Sequence, residues 1–389
     1  MKLPHGRHLA YCTNIHRGET WLETFHSLQT HALAVRAQVC PQLPYAIGLR
    51  LSARAASELS EPAELLAFRR WLEKNACYVF TINGFPYGRF HNTRVKEDVY
   101  RPDWTSPERL AYTNLLFDIL ASLLPPGVAG SVSTLPGSFK EFHHTPESRH
   151  AMRQNVWRAV EHIDRLGAQT GRTLHLGLEP EPMCLLESSA ETIHLFDHLR
   201  SEHPHDERLA RHLGVNYDTC HFAIEFEEPH NALGSLIQHG IKISKIHLSS
   251  ALKTSPTAEA RAALRAFADD VYLHQVVVRN EAGQRTIYRD LPEALNRHPL
   301  SETPETEEWR IHFHVPLHAP AAPPFENTND HILGTLDILS ANPDLCPHLE
   351  METYTWEVLP PELKSQNVVD QLAQEYAWTL ARLAERGLA

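Results

Sequence analysis

The sequence lacks the basic excess that proteins binding duplex nucleic acid carry. Its 36 Lys and Arg residues are outnumbered by 48 Asp and Glu residues, which gives a formal charge of −12 at neutral pH. A nucleic-acid-binding surface needs clustered positive charge to meet the phosphates. The composition therefore argues against a nucleic-acid partner, and we expect a small-molecule metabolite instead.

A long apolar run is also missing. The longest apolar stretch, 115–124, is interrupted by Asp118 and is followed by Pro125 and Pro126, so it is too short to span a bilayer. Residues 1–6 lack the apolar core of a signal peptide. We therefore expect a protein that does not span a membrane and that resides in the reducing cytoplasm.

The six cysteines are far apart in sequence and form no C-x-x-C pair. Zinc-finger spacing is thereby excluded, and no disulfide framework is indicated. The phosphate-binding loop G-x-x-x-x-G-K-[ST], a G-x-G-x-x-G after the first predicted strand, and the nucleophile motif G-x-S-x-G are absent as well. Histidine, in contrast, is abundant, with 27 residues. Imidazole is the commonest metal ligand and titrates near neutral pH.

Short apolar runs alternate with helix-patterned segments along almost the whole chain. This alternation is typical of parallel β/α units. A count of eight runs favours one (β/α)8 TIM barrel over residues 1–389. An open doubly wound sheet stays an alternative, because 309–315 could count as a ninth strand. The eight predicted strands are 9–15, 46–51, 78–82, 130–135, 173–178, 213–217, 241–248 and 349–354.

The segment 251–325 interrupts this alternation between the last two predicted strands. It contains a predicted helix at 257–268, a predicted hairpin at 271–288 and the strand-like stretch 309–315. Because the segment leaves from the carboxyl end of the seventh strand, we expect it to pack near the barrel mouth. There it would narrow access to the site.

Four predicted strands end in a side chain that can bind a divalent cation. These side chains are Glu179, Asp218, His247 and Glu352. In a parallel barrel, residues at the carboxyl ends of different strands meet at one mouth. Carboxylate oxygens and an imidazole are suitable ligands for a divalent metal. The alternative interpretation is that these acids form ordinary salt bridges in a polar barrel mouth.

Further polar residues accompany this predicted ligand set as alternate ligands or supporting partners. Glu350 shares a strand face with Glu352 but lies deeper, so Glu352 is the preferred ligand. His312 and His314 share a strand face and are a ligand pair, a proton shuttle or a water-facing sheet edge. The alternate or supporting residues are His221, Glu181, Glu350 and His314.

A long loop after the third predicted strand, 83–105, mixes aromatic residues with cations such as Lys96. It suits a lid over a sugar-like or anionic ligand, with Tyr87 and Phe90 covering an apolar face of that ligand. Alternatively, its cations pair with neighbouring acids and keep a surface loop soluble. Side chains of this loop and of other strand ends are predicted to contact the substrate: His16, Arg50, Asn83, Tyr87, Arg89 and Lys140.

The acid-ended strands resemble those of the xylose isomerase-like (sugar phosphate isomerase/epimerase) TIM barrels. The resemblance rests on the Leu-Glu-Pro ending at Glu179, on Asp218-x-x-His221, on His247 and on the Glu352 of the eighth strand. It implies that Glu179, Asp218, His247 and Glu352 bind Mn, Mg, Co or Zn. It also implies that Glu179 and Glu352 are the catalytic residues that shuttle a proton.

A closer resemblance, over nearly the whole length, is to the EboE metabolite-traffic proteins. It is carried by Cys-Thr-Asn-Ile-His at 12–16, Gly-Glu-Thr-Trp at 18–21, the stretch 81–88 and Glu-Thr-Tyr-Thr-Trp at 352–356. The resemblance implies a pathway linked to export of secondary-metabolite precursors, with other proteins of that pathway as partners. It does not imply a reaction.

Two functions from different classes follow. The first is a metal-dependent isomerase or epimerase acting on a polyhydroxy or hydroxycarbonyl compound. The second is a non-catalytic metabolite-binding or carrier protein on the same fold. The simple isomerases commonly place an acid or Lys just after the histidine of the seventh strand, whereas this chain has Ser249 and Ser250 after His247 and Leu248.

Overall fold

A computed structural model describes residues 1–389 except 90, 92–93, 143, 321, 362–363 and 365–366. The strands in the described part of the chain fall into two sheets. They are β1 (His8–Tyr11), β2 (Tyr45–Arg50), β3 (Cys77–Asn83), β4 (Gly130–Thr134), β5 (Leu174–Leu178), β6 (Leu213–Asp218), β7 (Lys242–Leu248), β8 (Ala251–Thr254), β9 (Val276–Arg279), β10 (Arg285–Tyr288), β11 (Glu308–His314), β12 (Glu326–Asn327) and β13 (His348–Met351).

Eight parallel strands form the barrel. Their order is β1-β13-β7-β6-β5-β4-β3-β2, and a parallel bridge between Cys12 and Gly48 joins its two ends. Each strand corresponds to one of the eight predicted apolar runs, so the predicted (β/α)8 TIM barrel is confirmed. The stretch 309–315 is not a ninth barrel strand, because β11 pairs only with antiparallel partners in the second sheet.

Helices alternate with the barrel strands and cover them. The described α-helices are α1 (Trp21–Ser27), α2 (Leu33–Val39), α3 (Ala53–Leu59), α4 (Pro62–Lys74), α5 (Pro107–Leu123), α6 (Pro146–Thr170), α7 (Ser189–Glu202), α8 (Arg208–His212), α9 (Thr219–Ile224), α10 (Pro229–Gln238), α11 (Ala258–Leu264), α12 (Leu291–Arg297), α13 (Asn329–Ala341) and α14 (Val368–Ala384). A π-helical turn, Leu28–Ala32, joins α1 to α2. No helix in the described part of the chain combines the length and the apolarity that crossing a bilayer requires.

Helix ends follow the local sequence. Thr145 caps α6 by accepting a hydrogen bond from the Ser148 amide, and Gly171 ends that helix at a φ of 68°. Helix α4 begins after Glu61, which holds the cap position and makes no side-chain cap bond. The last helix, α14, begins at Val368, and positions 362, 363, 365 and 366 before it lie outside the described residues.

The second sheet is antiparallel, in the order β10-β9-β11-β8-β12. Together with α11 and α12 it encloses its own apolar core, which includes Leu264, Leu291, Trp309 and Phe313. The predicted hairpin is present as β9 and β10, but 271–275 is not strand.

Residues 271–275 instead contact loops at the carboxyl ends of barrel strands. The backbone amides of Val95 and Lys96 donate to the Val271 carbonyl, both at 2.9 Å. The Gln275 amide Nε2 donates to the Tyr100 hydroxyl at 2.9 Å and to the Pro182 carbonyl at 3.2 Å. These contacts bring segment 251–325 against the loops after β3 and β5.

Candidate metal centre

Four side chains meet at the carboxyl ends of β5, β6, β7 and β13, which are consecutive neighbours in the barrel sheet. One ligand atom from each lies within 4.8 Å of the ligand atoms of the others, and all four residues are buried. We call this group the acid quartet: Glu179, Asp218, His247 and Glu352. Parallel strands brought these residues together although 173 positions separate the first from the last in the sequence.

His247 occupies the centre of the quartet. Its Nδ1 lies 3.0 Å from Glu179 Oε1, 3.2 Å from Glu352 Oε2 and 3.4 Å from Asp218 Oδ2. Its other nitrogen, Nε2, lies 2.8 Å from Glu350 Oε2 and donates a proton to it. In the neutral imidazole, Nδ1 therefore presents its lone pair to three carboxylates, which is the arrangement of a ligand.

Two carboxylate oxygens of the quartet have no hydrogen-bond partner among the described residues. They are Glu179 Oε2 and Asp218 Oδ2. The second oxygen of Asp218, Oδ1, accepts from the Ser249 hydroxyl at 2.6 Å and from the amides of Cys220 and His221. Buried carboxylate oxygens without partners are costly, and a divalent cation satisfies them. Three carboxylates and one imidazole therefore fit Mn, Mg, Co or Zn.

The raised pKa of His247 also indicates that the acid quartet attracts positive charge. Burial alone would lower its pKa, but the Glu352 and Glu179 carboxylates raise the pKa of His247 well above its usual value. Without a metal, a proton on Nδ1 thus supplies positive charge among the acids. Because a metal and a proton compete for one nitrogen, binding of a metal at Nδ1 would release a proton.

Two asparagine side chains donate hydrogen bonds to the same carboxylate oxygen of Glu352. Asn14 Nδ2 donates to Glu352 Oε1 at 2.7 Å, and Asn83 Nδ2 donates to the same atom at 3.0 Å. This leaves Glu352 Oε2 facing His247. Asn83 was predicted to contact substrate, and the structure places it on Glu352; Asn14 was missed, although it follows the first strand as the ligands follow theirs.

The four predicted supporting residues surround the quartet. Glu350 lies beneath it, hydrogen-bonded to His247 and to Lys245. Glu181 Oε1 accepts from the Tyr100 hydroxyl at 2.7 Å; burial raises the pKa of Glu181 well above its usual value, and repulsion from Glu179 adds to the rise. His221 and His314 lie beside Asp218 in a second candidate ligand group.

A cavity with an empty volume of about 530 Å³ opens above the quartet. Glu179, Glu181 and Glu352 line its acidic side. The opposite walls are mostly apolar or aromatic and include Phe85, Pro86, Val95, Val99, Tyr100, Tyr272, Leu273 and Tyr354. Segment 251–325 thus contributes to the wall through 272–273 and His312. The cavity has the mixed polar and apolar lining of a small-molecule site.

Five of the predicted substrate contacts do not line this cavity. His16 bonds to the Tyr11 hydroxyl at 2.9 Å, and Arg50 donates to the Gly18 carbonyl at 2.7 Å. The Tyr87 ring packs against Tyr112, Lys140 pairs with Glu187 and Glu191, and Arg89 is exposed. The role of these side chains as substrate contacts stays a prediction: His16, Arg50, Tyr87, Arg89 and Lys140.

Lys96 attaches the predicted lid loop to segment 251–325. Lys96 Nζ lies 2.7 Å from Asp290 Oδ2 and donates to the carbonyls of Tyr272 and Asp269 at 2.6 and 2.9 Å. The lysine therefore joins the loop to segment 251–325. Phe90, predicted to cover the ligand, lies outside the described residues.

Comparison with known proteins supports the fold. No protein-family model matches the chain, and no curated protein matches it. Solved structures do: L-ribulose 3-epimerase at 11% identity and a TM-score of 0.52, covering 100% of this chain and 96% of that one. The IOLI protein with a bound zinc atom and a D-tagatose 3-epimerase-like protein each have 11% identity and a TM-score of 0.50, covering 97% and 98%. The chain therefore shares the TIM-barrel fold of these solved structures.

Proposed function

We propose that this chain is a metal-dependent enzyme of the isomerase or epimerase type that acts on a small polyhydroxy or hydroxycarbonyl compound. The observation that carries the proposal is the acid quartet, with two unpartnered carboxylate oxygens, at the acidic side of a 530 Å³ cavity. Glu179, Asp218, His247 and Glu352 would hold the cation. The bound zinc of the IOLI protein and the epimerases of the same fold support this assignment.

The chemistry of such a site is proton transfer next to a carbonyl. A divalent cation, when bound, polarises a carbonyl and neutralises developing negative charge on its oxygen. Glu179 Oε1 and Glu352 Oε2 both lie within 3.2 Å of His247 Nδ1, and these two glutamates act as the proton-accepting and proton-donating pair. The two amides on Glu352 Oε1 fix the orientation of that carboxylate. One glutamate removes a proton from the carbon next to the carbonyl, and the other, already protonated, delivers its own proton to the opposite face, which inverts the carbon; delivery to the neighbouring carbon, with the hydroxyl proton passing to the carbonyl oxygen, isomerises the compound.

The cavity walls set the class of ligand. The polar end of the ligand faces the acids, and its less polar face lies against Phe85, Leu273 and Tyr354. The resemblance to the EboE proteins adds a cytoplasmic pathway that handles secondary-metabolite precursors, with other proteins of that pathway as partners. In this proposal residues 1–389 work as one domain, with segment 251–325 covering the barrel mouth.

The metal part of the proposal is tested by elemental analysis of protein purified without chelator. The double variant Glu179→Gln, His247→Gln should lose one metal equivalent that the wild type retains. Glu181→Gln is the matched control, because Glu181 is a buried acid of the same loop that belongs to none of the candidate ligand groups. Addition of metal at 100 times its Kd should stabilise the wild type by about 2.7 kcal/mol and leave the double variant unchanged. Equal metal content in all three proteins would exclude the quartet site.

The catalytic part is tested in deuterated water. Hydroxycarbonyl compounds that raise the Tm of the metal-loaded protein are incubated with it, and NMR follows deuterium entering the carbon next to the carbonyl. Glu352→Gln, compared at a metal content matched to that of the wild type, should strongly lower this exchange.

Ligand stabilisation without any exchange would instead support the metabolite carrier. The ion pair between Lys96 and Asp290 favours that second function, because it joins the lid loop to segment 251–325, and a restrained loop suits ligand retention more than turnover.

A further inference from the structure

Three buried histidines gather beside the acid quartet. His221 lies in α9, and His312 and His314 come from β11 of segment 251–325. The Nε2 atoms of His221 and His312 are 3.1 Å apart. The His314 ring centre lies 5.7 Å from that of His221 and 5.4 Å from that of His312. We call these three residues the histidine cluster.

The tautomers of His221 and His314 are fixed by backbone carbonyls. His221 Nδ1 lies 2.9 Å from the Pro180 carbonyl, and His314 Nδ1 lies 2.9 Å from the Glu352 carbonyl. A carbonyl oxygen only accepts, so both Nδ1 atoms carry a hydrogen and donate it. In each neutral ring Nε2 is therefore an unprotonated nitrogen with a free lone pair.

His312 has the same tautomer for a less direct reason. Its Nδ1 lies 2.8 Å from Gln275 Oε1. The Gln275 amide cannot be turned round, because its Nε2 donates to the Pro182 carbonyl at 3.2 Å and to the Tyr100 hydroxyl at 2.9 Å. His312 therefore donates from Nδ1 and also offers an Nε2 lone pair. Two lone pairs 3.1 Å apart repel each other unless positive charge lies between or beside them.

Unpartnered atoms lie in the same place. His314 Nε2 and Asp218 Oδ2 make no hydrogen bond with any described residue, and both residues are fully buried. Ligand atoms of Asp218, His221 and His314 lie within 4.8 Å of one another, and so do those of Cys220, His312 and His314. His314 is common to the two groups, and His221 of one group lies 3.1 Å from His312 of the other, measured between their Nε2 atoms.

We propose that the histidine cluster, with Asp218 Oδ2, binds a second divalent cation of the zinc class. Zinc takes imidazole nitrogens and a carboxylate in a four-ligand site, and metal-bound histidines commonly donate their other N–H to a carbonyl. Asp218 Oδ1 is occupied by three donors, so Oδ2 is the oxygen that faces both the cluster and His247. The inference goes beyond the proposed function, because the quartet does not require these histidines.

The test counts zinc in protein loaded with zinc and then desalted. The wild type should hold two equivalents per chain and the variant His312→Gln, His314→Gln one. The control is His194→Gln, His198→Gln, a pair on α7 whose Nε2 atoms are also 3.1 Å apart but which is exposed. This control should retain both equivalents. Cobalt loading adds a second readout, because the cluster variant should lose the visible bands of a nitrogen-rich site.

The two metal proposals fail in different ways. Loss of one equivalent in the cluster variant, with no loss in Glu179→Gln, His247→Gln, would keep the second site and exclude the quartet. Equal zinc in the wild type and the cluster variant would overturn the second site. A proton shared by His221 and His312 in zinc-treated protein, seen by ¹⁵N NMR of the imidazoles, would overturn it too. If the cluster variant melts early, the single variant His221→Gln replaces it and should likewise hold one equivalent.

Discussion

Two layers of the barrel interior contain buried acids and differ in how those acids are neutralised. In the lower layer Glu350 Oε2 lies 2.6 Å from Lys245 Nζ and 2.8 Å from His247 Nε2. Burial opposes ionisation, but these cations hold the pKa of Glu350 at about 2. In the upper layer Glu179 and Asp218 are paired only with histidines, and neither has a lysine or arginine partner among the described residues.

This difference separates buried acids whose charge is neutralised within the fold from buried acids whose charge is available to a ligand. A buried acid that already has a lysine within 2.6 Å contributes to the fold and leaves no demand for a ligand. A buried acid at the edge of a cavity that has no lysine or arginine partner leaves that demand open. The two layers are two residues apart in the sequence, since Glu350 lies on β13 and Glu352 directly follows the end of that strand.

The largest expected effect comes from breaking the lower layer. Lys245→Met removes the amine and leaves Glu350 buried and short of positive charge. We expect a loss of about 3–5 kcal/mol in the free energy of unfolding. Urea unfolding in the presence of chelator measures it, so that metal binding does not contribute.

The matched change in the upper layer is Glu179→Gln. It removes negative charge that no lysine or arginine neutralises, and we expect unfolding free energy in chelator to stay the same or rise. The variant Lys245→Met, Glu350→Leu should recover part of the loss of Lys245→Met. A large loss from Glu179→Gln, matching that of Lys245→Met, would contradict the distinction between the layers.

A buried acid of α14 extends the comparison to pH. Burial raises the pKa of Glu375 to about 8, whereas a glutamate in the unfolded chain titrates near 4.3. The folded state therefore holds a proton that the unfolded state releases. Unfolding free energy should decrease between about pH 4.5 and 8, by up to about 1.4 kcal/mol per pH unit from this group.

Glu375→Gln should remove this contribution, because glutamine keeps the size and loses the titration. The measurement is the difference in unfolding free energy between the wild type and the variant at pH 5, 6, 7 and 8. That difference should change steadily in favour of the variant as pH rises. A difference that does not change with pH would show that Glu375 is not held protonated.

The barrel and the quartet could be predicted from sequence because both follow from strand ends. Eight apolar runs gave the strands, and parallel pairing places their carboxyl ends together whatever their separation in the chain. Glu179, Asp218, His247 and Glu352 needed no other information to be grouped.

Residues placed by turns and by docking could not be predicted in this way. The 3-10 turn Thr13–Ile15 after β1 sends Asn14 toward Glu352 and His16 toward Tyr11, a choice that strand periodicity does not contain. Gln275 reaches the site because segment 251–325 docks on the loops after β3 and β5.

The smallest expected effect concerns two cations of the lid loop that the sequence could not distinguish. Lys96 is buried and pairs with Asp290 at 2.7 Å, whereas Arg89 is exposed. Lys96→Ala should cost about 1–3 kcal/mol of unfolding free energy, because it breaks a charged hydrogen bond and leaves Asp290 without it. Arg89→Ala should change that energy by less than about 0.5 kcal/mol.

Measured ligand affinity distinguishes a ligand-contacting role of Arg89 from a role as a solubilising surface residue. If the loop is a lid, Arg89→Ala weakens binding of an anionic or polyhydroxy ligand by about 1–3 kcal/mol at unchanged stability. Lys96→Met is the better partner variant for this measurement, because it keeps most of the side chain and loses the charge that joins the loop to segment 251–325. Unchanged affinity in Arg89→Ala would make Arg89 a solubilising surface residue. Lys96, which pairs with Asp290, would then be a structural cation of the loop, as Lys245 is in the lower layer of the barrel.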